Sequence, residues 1–293
     1  MNESTSSIIR LEHISKAFGL VKANRDITLD IHVGRIKALL GENGAGKSTL
    51  RSILSGRLKP DRGRILIDGT GTLNHTTQTA HAAGIGMVYQ HFMLVEAMTV
   101  AENVLLGQSE GIWLSPKKMV QQVTDLSQRY SLGIDPSARV SDLSMGERQR
   151  VEILKLLYRQ SRVLIFDEPT AVLTPPEIEQ LFDALRQMAA QSKAIVFISH
   201  KLDEVMALAN DIAILRKGSV VDEMAAGDVR SKADLAMRMV GREVVLQVKK
   251  KPVEARQIVL RIDGLNGNGL KDIDLQVRQG EVLGLSLIHI SEP

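Results

Sequence analysis

In the stretch GRIKALLGENGAGKST, residues 34–49, a short apolar run leads into a glycine-rich loop and then into the expected start of a helix, which is typical of an α/β fold. Residues 41–48 match the pattern G-x-x-x-x-G-K-[ST]. Glycines allow successive backbone N–H groups to converge on phosphate oxygens, and the N-terminus of the next helix adds partial positive charge. The pattern predicts a site for nucleotide phosphates, formed by Gly41, Asn43, Gly44, Gly46, Lys47, Ser48 and Thr49.

A pair of carboxylates supports this interpretation. Asp167 and Glu168 follow directly after the apolar run 163–166, so we expect both at the carboxyl end of a strand. With the phosphate loop nearby, Asp167 and the Ser48 hydroxyl become candidate Mg²⁺ ligands, and Glu168 is placed to orient or deprotonate an attacking water. Lys47 then supplies a positive charge to the β- and γ-phosphates. Taken alone, the two acids also fit a solvated turn.

Short apolar runs alternate with longer segments of helical period along most of the chain. The clearest buried-strand candidates are residues 36–40, 163–166, 194–198 and 212–215. This alternation is typical of an α/β fold with a mainly parallel sheet, in which functional residues gather at the carboxyl ends of the strands.

The segment of about residues 91–160 has few strand signals and several helical ones. Ser115 and Pro116 predict the start of a helix, and Gly133 its end. The segment is therefore interpreted as a helical insert in the α/β core. Ser144 and Gly146 stand at the start of another helical stretch, which suits a bound anion or an ordinary capping serine.

The composition excludes several classes of protein. The net charge is only +3, which favours a mixed-charge surface over a nucleic-acid-binding one. The sequence contains no cysteine, so disulfides and thiolate metal sites are excluded. Its first residues lack the pattern of a secretory signal, and no apolar run reaches the length of about 18 residues that is typical of a membrane span.

The end of the sequence repeats part of its beginning. Residues 258–285 follow the order of apolar and acidic positions seen in the opening strands, and Gly280 stands where Gly34 stands in the first copy. Residues 241–257 read as a linker. A second phosphate loop is expected after residue 285, but SLIHISEP, residues 286–293, offers none. We therefore expect residues 1–240 to form one domain, residues 258–285 to begin a second, and residues 286–293 to be non-native.

The order and spacing of five motifs resemble those of an ATP-binding cassette (ABC) ATPase over about residues 8–240. These motifs are the phosphate loop, Gln90, the stretch LSMGE at residues 143–147, the pair Asp167-Glu168, and His200 after a strand. The resemblance implies a P-loop NTPase core with a mainly parallel sheet, an N-terminal antiparallel β subdomain and a helical insert.

The resemblance also implies roles for individual residues. Phe18 stacks on adenine, Gln90 links Mg²⁺ or water to the helical insert, and His200 contacts the γ-phosphate. Ser144 and Gly146 bind the ATP held by an opposing cassette. Two residues depart from the family pattern: Glu147 stands in place of glutamine, and Thr174 in place of aspartate. The second departure bears on how tightly this nucleotide site is coupled to the equivalent site of a second cassette.

Further stretches resemble the duplicated ATPases of bacterial simple-sugar and nucleoside importers, and more the nucleoside branch than the ribose branch. This resemblance implies an ATPase that uses ATP and Mg²⁺ at the cytoplasmic face of the inner membrane. Its partners are a polytopic permease contacted through the helical insert, an extracytoplasmic solute-binding protein that acts indirectly, and a second cassette. Nucleic acid is not an expected partner. We expect the truncated chain to bind ATP but to hydrolyse it slowly when dilute.

Two other functions remain open at this point. One is a soluble ABC ATPase that acts on ribosomes or DNA, although basic arms and coiled-coil insertions are not conspicuous. The other is a nucleotide-binding regulatory module without catalysis. The presence of Lys47, Asp167, Glu168 and His200 disfavours this second alternative.

Overall fold

The computed structural model describes residues 7–72, 74–89, 92–107, 115–241, 257–267 and 270–284. The chain divides into two compact units, Met1–Val244 and Val245–Pro293. The expected non-native tail, most of the linker and Gln90 lie outside the described residues.

The first unit alternates strands and helices. In chain order these are β1 (Ser7–Phe18), β2 (Val21–His32), β3 (Ile36–Leu40), α1 (Lys47–Leu54), β4 (Arg62–Ile67), β5 (Thr70–Gly71), α2 (Thr77–Ala82), β6 (Ile85–Val88), α3 (Val100–Leu105), α4 (Pro116–Arg129), α5 (Met145–Tyr158), β7 (Val163–Asp167), α6 (Pro175–Ala190), β8 (Ala194–Ser199), α7 (Leu202–Leu208), β9 (Asp211–Arg216), β10 (Ser219–Ala225) and α8 (Lys232–Val240).

Two sheets form the framework of this unit. A four-stranded antiparallel sheet has the order β2-β1-β4-β5, and a six-stranded sheet has the order β10-β9-β3-β8-β7-β6. In the six-stranded sheet β10 pairs antiparallel with β9, and the other pairs are parallel. The predicted α/β fold with a mainly parallel sheet is confirmed, and so is the antiparallel N-terminal subdomain.

The central strands are buried along their whole length. Every residue of β3, β7 and β8 is buried. Strands of a parallel sheet covered on both faces read as continuous apolar runs, which is why the sequence revealed them. The side chains of Phe182 on α6 and Phe197 on β8 meet edge to face, with ring centroids 6.1 Å apart, in the core between helix and sheet.

The helical insert contains α3, α4 and α5. Ser115 caps α4 by accepting a hydrogen bond from the Lys118 N–H, and Pro116 is the first helical residue, as the sequence predicts. The helix ends at Arg129 and not at Gly133, because Ser131 adopts the left-handed conformation with φ 52°. Val123 is fully buried in the core that this insert shares with the sheet.

The second unit contains one antiparallel hairpin, β11 (Ile258–Gly267) and β12 (Leu270–Arg278). Ile262 pairs with Leu275 and Leu265 with Ile273. In the first unit Leu11 pairs with Leu29 and Ile14 with Ile27. In each hairpin one of the register shifts falls between these two pairs, so the two hairpins share this part of their pairing and this irregularity.

Backbone angles extend this match. His13 has φ 55°, and Gly264 at the equivalent position has φ 59°. On the return strands, Asp26 has φ 49° and Asp272 has φ 47°. A non-glycine residue in this region is uncommon, so the positive φ of both Asp26 and Asp272 at the same step of two hairpins indicates one shared local structure.

None of the helices that the structure describes is long and apolar enough to cross a membrane.

Candidate functional site

The glycine-rich loop connects the buried end of β3 to the first turn of α1. Gly44 and Gly46 have φ values of 81° and 104°, a region that favours glycine. A Cβ at Gly46 would overlap the Ala23 carbonyl, and one at Gly41 would overlap the Leu215 carbonyl. No side chain caps α1, so the first N–H groups of that helix remain free for an anion.

Lys47 lies at the start of α1 and is 7% exposed. Its Nζ atom donates hydrogen bonds to the carbonyls of Gly41, at 2.5 Å, and Glu42, at 3.0 Å. Burial lowers the pKa of Lys47, while the charges of Glu168 and Glu42 act in the opposite direction. The lysine is thus a partly desolvated cation bound only by neutral carbonyls in the residues described, which suits the approach of a phosphate.

A cavity of about 390 Å³ lies over this loop. Its lining brings together the loop and the two carboxylates that the sequence singled out: Asn43, Gly44, Gly46, Lys47, Ser48, Thr49, Asp167 and Glu168. Gly41 lies at the base of the loop and is not part of this lining. The volume falls within the range of about 300–1,000 Å³ that is typical of small-molecule sites.

The aromatic residue assigned to adenine does not line the cavity. Phe18 ends β1, is 52% exposed, and has the Lys16 Nζ 5.8 Å from its ring centroid. The apolar residues in the lining are instead Leu20 and Val21, which are 102% and 67% exposed. The sequence contained an indication of these two residues: they follow Gly19 directly, in a tight turn, where apolar side chains cannot be buried in the core.

Glu168 and His200 face each other across neighbouring strand ends. The Glu168 Oε1 atom lies 2.8 Å from the His200 Nδ1 atom. Glu168 adopts the left-handed conformation with φ 46°, and its N–H donates to the Ile198 carbonyl at 2.9 Å. Such a conformation costs roughly 1–3 kcal/mol and persists where neighbouring structure imposes it. The strand pairing of β7 with β8 therefore holds the carboxylate toward the histidine.

Asp167 ends β7, and its carboxylate forms an ion pair with the Arg51 guanidinium. The two side chains are 10% and 19% exposed. Sequence reasoning missed Arg51, although a basic residue one helical turn after Lys47 lies on the same face of α1. A buried carboxylate requires a partner, and Arg51 supplies it in this structure.

The stretch at residues 143–147 forms the N-terminus of α5. Ser144 caps the helix: its Oγ accepts from the Glu147 N–H at 3.2 Å, and its own N–H donates to Glu147 Oε2 at 2.8 Å. The Ser144 hydroxyl also donates to Glu177 Oε1 at 3.4 Å. A Cβ at Gly146 would overlap the Glu177 carboxylate. Ser144 and Gly146 do not line the cavity over the loop.

Another cavity in the described part of the chain, with a volume of about 840 Å³, lies elsewhere. Its lining includes Arg129, Arg162 and Lys193, near the C-terminal ends of α4, α5 and α6. Cations at such positions offset the negative ends of helices, and the Lys193 Nζ donates to the Ser161 carbonyl at 2.7 Å. These charges are explained by the helix ends, so the smaller cavity is the candidate site.

Gln90 lies outside the described residues, and its proposed contact is not described. The preceding Tyr89 has the Arg57 guanidinium 5.5 Å from its ring centroid. Among the residues described, no cluster of three or more histidine, aspartate and glutamate side chains could hold a metal ion by itself.

A family model described as ABC transporter matches residues 24–171. The chain belongs to the ABC transporter family. The matched range contains the glycine-rich loop, the LSMGE stretch and both carboxylates of this ABC cassette, and it ends before His200.

Three curated relatives of the ABC cassette have similar degrees of identity. NupA of Lactococcus lactis subsp. cremoris, a nucleoside import ATP-binding protein, is 43% identical over 291 residues, which cover 97% of this chain and 57% of NupA. TsgD13 of Haloferax volcanii, a glucose import ATP-binding protein, is 43% identical over 317 residues, which cover 95% of this chain and 57% of TsgD13. NupO of Bacillus subtilis, a guanosine import ATP-binding protein, is 42% identical over 287 residues, which cover 95% of this chain and 56% of NupO. The chain spans little more than half the length of these relatives.

Solved structures share the fold of the ABC cassette. Clostridium perfringens cbiO1, part of the ABC transporter complex cbiONQ, has a TM-score of 0.68 at 27% identity and covers 80% of this chain and 92% of its own. The ADP conformation of another ATP-binding cassette has a TM-score of 0.72 at 24% identity, and the match covers 81% of this chain and 100% of that cassette. At that identity the second structure supports the fold alone.

Proposed function

We propose that this ABC cassette binds ATP with Mg²⁺, hydrolyses it, and thereby drives the uptake of a nucleoside or simple sugar through a membrane permease. The observation that carries the proposal is the cavity lined by Lys47, Asp167 and Glu168, together with the contact between Glu168 and His200, a residue outside that lining. A phosphate-binding loop, a metal-binding carboxylate and a water-activating carboxylate are the parts that phosphoryl transfer to water requires.

The residues present fit a bound Mg²⁺ ion. The Ser48 hydroxyl and the Asp167 carboxylate both line the cavity, and Mg²⁺ prefers hard oxygen ligands of this kind. When bound, the ion neutralises charge on the β- and γ-phosphates. The Asp167 carboxylate has two oxygen atoms, so it could contact the ion while keeping its ion pair with Arg51. Gln90 remains a proposed further ligand.

Residues of this chain perform the other steps of the proposed hydrolysis. Loop N–H groups and Lys47 orient the phosphates, and Glu168 orients the attacking water and accepts its proton. The His200 imidazole holds one oxygen of Glu168 at 2.8 Å, which leaves the other oxygen for that water. In this proposal His200 also contacts the γ-phosphate, and apolar residues beside the loop cover the adenine.

The arrangement of Ser144 and Gly146 supports a cassette dimer. Neither residue lines the loop cavity of its own chain, which agrees with a role for both in contacting nucleotide held by a second cassette. The shared register of the β11–β12 and β1–β2 hairpins supports the interpretation of residues 258–285 as the start of such a second copy.

The partners and the solute are proposed from the relatives' names. NupA and NupO are nucleoside and guanosine import proteins, and TsgD13 is a glucose import protein. We accordingly place this cassette at the cytoplasmic face of the inner membrane as a peripheral subunit. Its helical insert contacts a polytopic permease, and an extracytoplasmic solute-binding protein delivers the solute.

The test is phosphate release by the purified chain across a range of protein concentrations, with Mg²⁺ present. We expect the rate per chain to rise with concentration, because dimerisation supplies the second Ser144 and Gly146. Release that stays equally fast on dilution, with no dimer detectable, contradicts the dimer mechanism. Copurification with ribosomes instead of a polytopic membrane protein contradicts the importer assignment.

A further inference from the structure

Glu204 lies in the first turn of α7, yet its side chain points into the protein and is 9% exposed. The Thr170 hydroxyl donates to its Oε1 atom at 2.6 Å, and the Ser199 hydroxyl donates to its Oε2 atom at 3.3 Å. The Lys201 ammonium lies 3.0 Å from Oε1. Both carboxylate oxygens are thus engaged by residues of two different loops.

Those two loops carry the reacting groups of the candidate site. Thr170 follows Glu168 by two positions, and Ser199 and Lys201 flank His200 on either side. Thr170 and Ser199 are 3% and 2% exposed, so the bonds are shielded from water. One buried carboxylate therefore joins the backbone segments from which Glu168 and His200 project.

Further contacts make this junction stiff. The Lys201 Nζ also donates to the Thr170 hydroxyl, at 3.2 Å, and the Lys201 N–H donates to Ser199 Oγ at 3.0 Å. The helix that carries Glu204 is fixed in the core by Val205, which is fully buried. A polar network whose hydroxyl and carboxylate members are buried and mutually bonded in this way favours one geometry.

We propose that Glu204 is a positioning residue that sets the separation of Glu168 and His200 by fixing both of their loops. It touches neither nucleotide nor water itself. The inference rests on the proposed ATPase function for its catalytic consequence, whereas the geometric consequence concerns the two loops alone.

A simpler role for Glu204 is a favourable charge in the first turn of a helix. Asp203 provides the matched control, because it occupies the same turn but is 78% exposed and pairs with Lys232. Asp203→Asn removes the same charge from α7 without touching either loop. Glu204→Gln keeps the size of the side chain but loses the second acceptor oxygen and the charge.

The experiment compares the parent chain and its Asp203→Asn and Glu204→Gln variants by hydrogen exchange, by MgATP titration and by single-turnover hydrolysis. We expect Glu204→Gln to speed exchange in residues 168–173 and 199–203, to keep MgATP affinity within about 2-fold, and to slow hydrolysis roughly 10- to 100-fold, the scale seen when supporting residues of a site are removed. Asp203→Asn is expected to match the parent chain in all three measurements.

A His200→Ala background separates positioning from general destabilisation. If Glu204 acts through the Glu168–His200 pair, Glu204→Gln adds no further loss of hydrolysis there, whereas a merely structural role gives an additive loss. Unchanged exchange in both segments of Glu204→Gln overturns the inference whatever the activity. A parent chain that binds no MgATP contradicts the proposed function but leaves the exchange result to decide the geometric part.

Discussion

The Glu168 Oε1 and His200 Nδ1 atoms lie 2.8 Å apart, although 31 residues separate the two in the sequence. The parallel pairing of β7 with β8 produces this approach, because it brings the carboxyl ends of the two strands to one edge of the sheet. The proposed hydrolysis depends on the Glu168–His200 contact at this edge of the sheet.

Replacing Glu168 with Gln separates binding from chemistry. The amide keeps the size of the side chain but cannot accept a proton, so we expect hydrolysis to fall by about 10²–10⁴-fold. MgATP affinity is expected to stay within about 2-fold, because the loop N–H groups and Lys47 are unchanged. Phosphate release and nucleotide titration measure the two effects, and exposed Glu179→Gln on α6 is the control. Equal hydrolysis in the two variants removes Glu168 from the role.

Lys47→Ala tests the cation of the loop. We expect MgATP affinity to fall at least about 10-fold, because a charge-assisted contact with the phosphates is lost, each such contact being worth about 1.5–3 kcal/mol. Lys59→Ala, an exposed position outside the cavity, is the control for the loss of a positive charge. Nucleotide titration by calorimetry provides the measurement.

The same variant has a predicted pH signature in the absence of nucleotide. Burial lowers the pKa of Lys47 in the folded protein, so the unfolded chain binds more protons than the folded one in the alkaline range. The stability of the parent chain therefore rises relative to that of Lys47→Ala as pH increases from the folded pKa to the ordinary lysine value. Urea unfolding at several alkaline pH values measures this difference. A difference that does not change with pH contradicts the desolvation of Lys47.

Arg51→Met removes the partner of Asp167. We expect a loss of about 3 kcal/mol of unfolding free energy in the metal-free protein, because a buried carboxylate is left without its counter-ion. Asp167→Asn in the same chain removes that charge, so the double variant should recover most of the loss. Urea unfolding of the single and double variants measures the coupling. Simple additivity of the two substitutions contradicts the ion pair.

Thr174 and Glu177 form a capping box at the start of α6. The Thr174 N–H and hydroxyl donate to Glu177 Oε2 at 2.9 and 2.8 Å, and these bonds lower the pKa of Glu177. Thr174→Ala should cost about 1 kcal/mol of stability. The pKa of Glu177 is lower in the folded protein than in the unfolded chain. The greater stability of the parent chain relative to Glu177→Gln is therefore complete above the ordinary glutamate pKa and is lost as pH falls through the pKa of Glu177 in the folded protein. Acid-range urea unfolding tests both statements.

Two glycines of the loop provide a matched pair. Gly44→Ala meets no atom within 4 Å, so only its positive φ is penalised, by about 1–2 kcal/mol. Gly46→Ala carries the same kind of strain and in addition overlaps the Ala23 carbonyl. We expect Gly46→Ala to destabilise the chain more and to lower MgATP affinity more. Equal effects in thermal unfolding and nucleotide titration contradict the described loop geometry.

Much of this site was predictable from the sequence, for one physical reason. Buried parallel strands appear as apolar runs, and the carboxyl ends of neighbouring strands meet, so Lys47, Asp167, Glu168 and His200 could be assigned to one edge of the sheet before the structure was known. The strand runs at residues 36–40 and 163–166 fall within β3 and β7.

The supporting residues were not predictable in the same way. Arg51 and Glu204 are defined by tertiary partners far along the chain, and neither belongs to a local pattern. The adenine contact of Phe18, implied by the family resemblance, stays a prediction, while Leu20 and Val21 in the turn after it line the cavity. Side-chain directions at a turn depend on backbone angles that composition does not reveal.

The most direct measurement is equilibrium binding of MgATP to the purified, folded chain, compared with the Lys47→Ala variant. We expect saturable binding below millimolar nucleotide that weakens when Mg²⁺ is removed and is largely lost in the variant. A folded parent chain that takes up no MgATP at millimolar concentration, or a variant that binds as tightly as its parent, contradicts a nucleotide site at this loop.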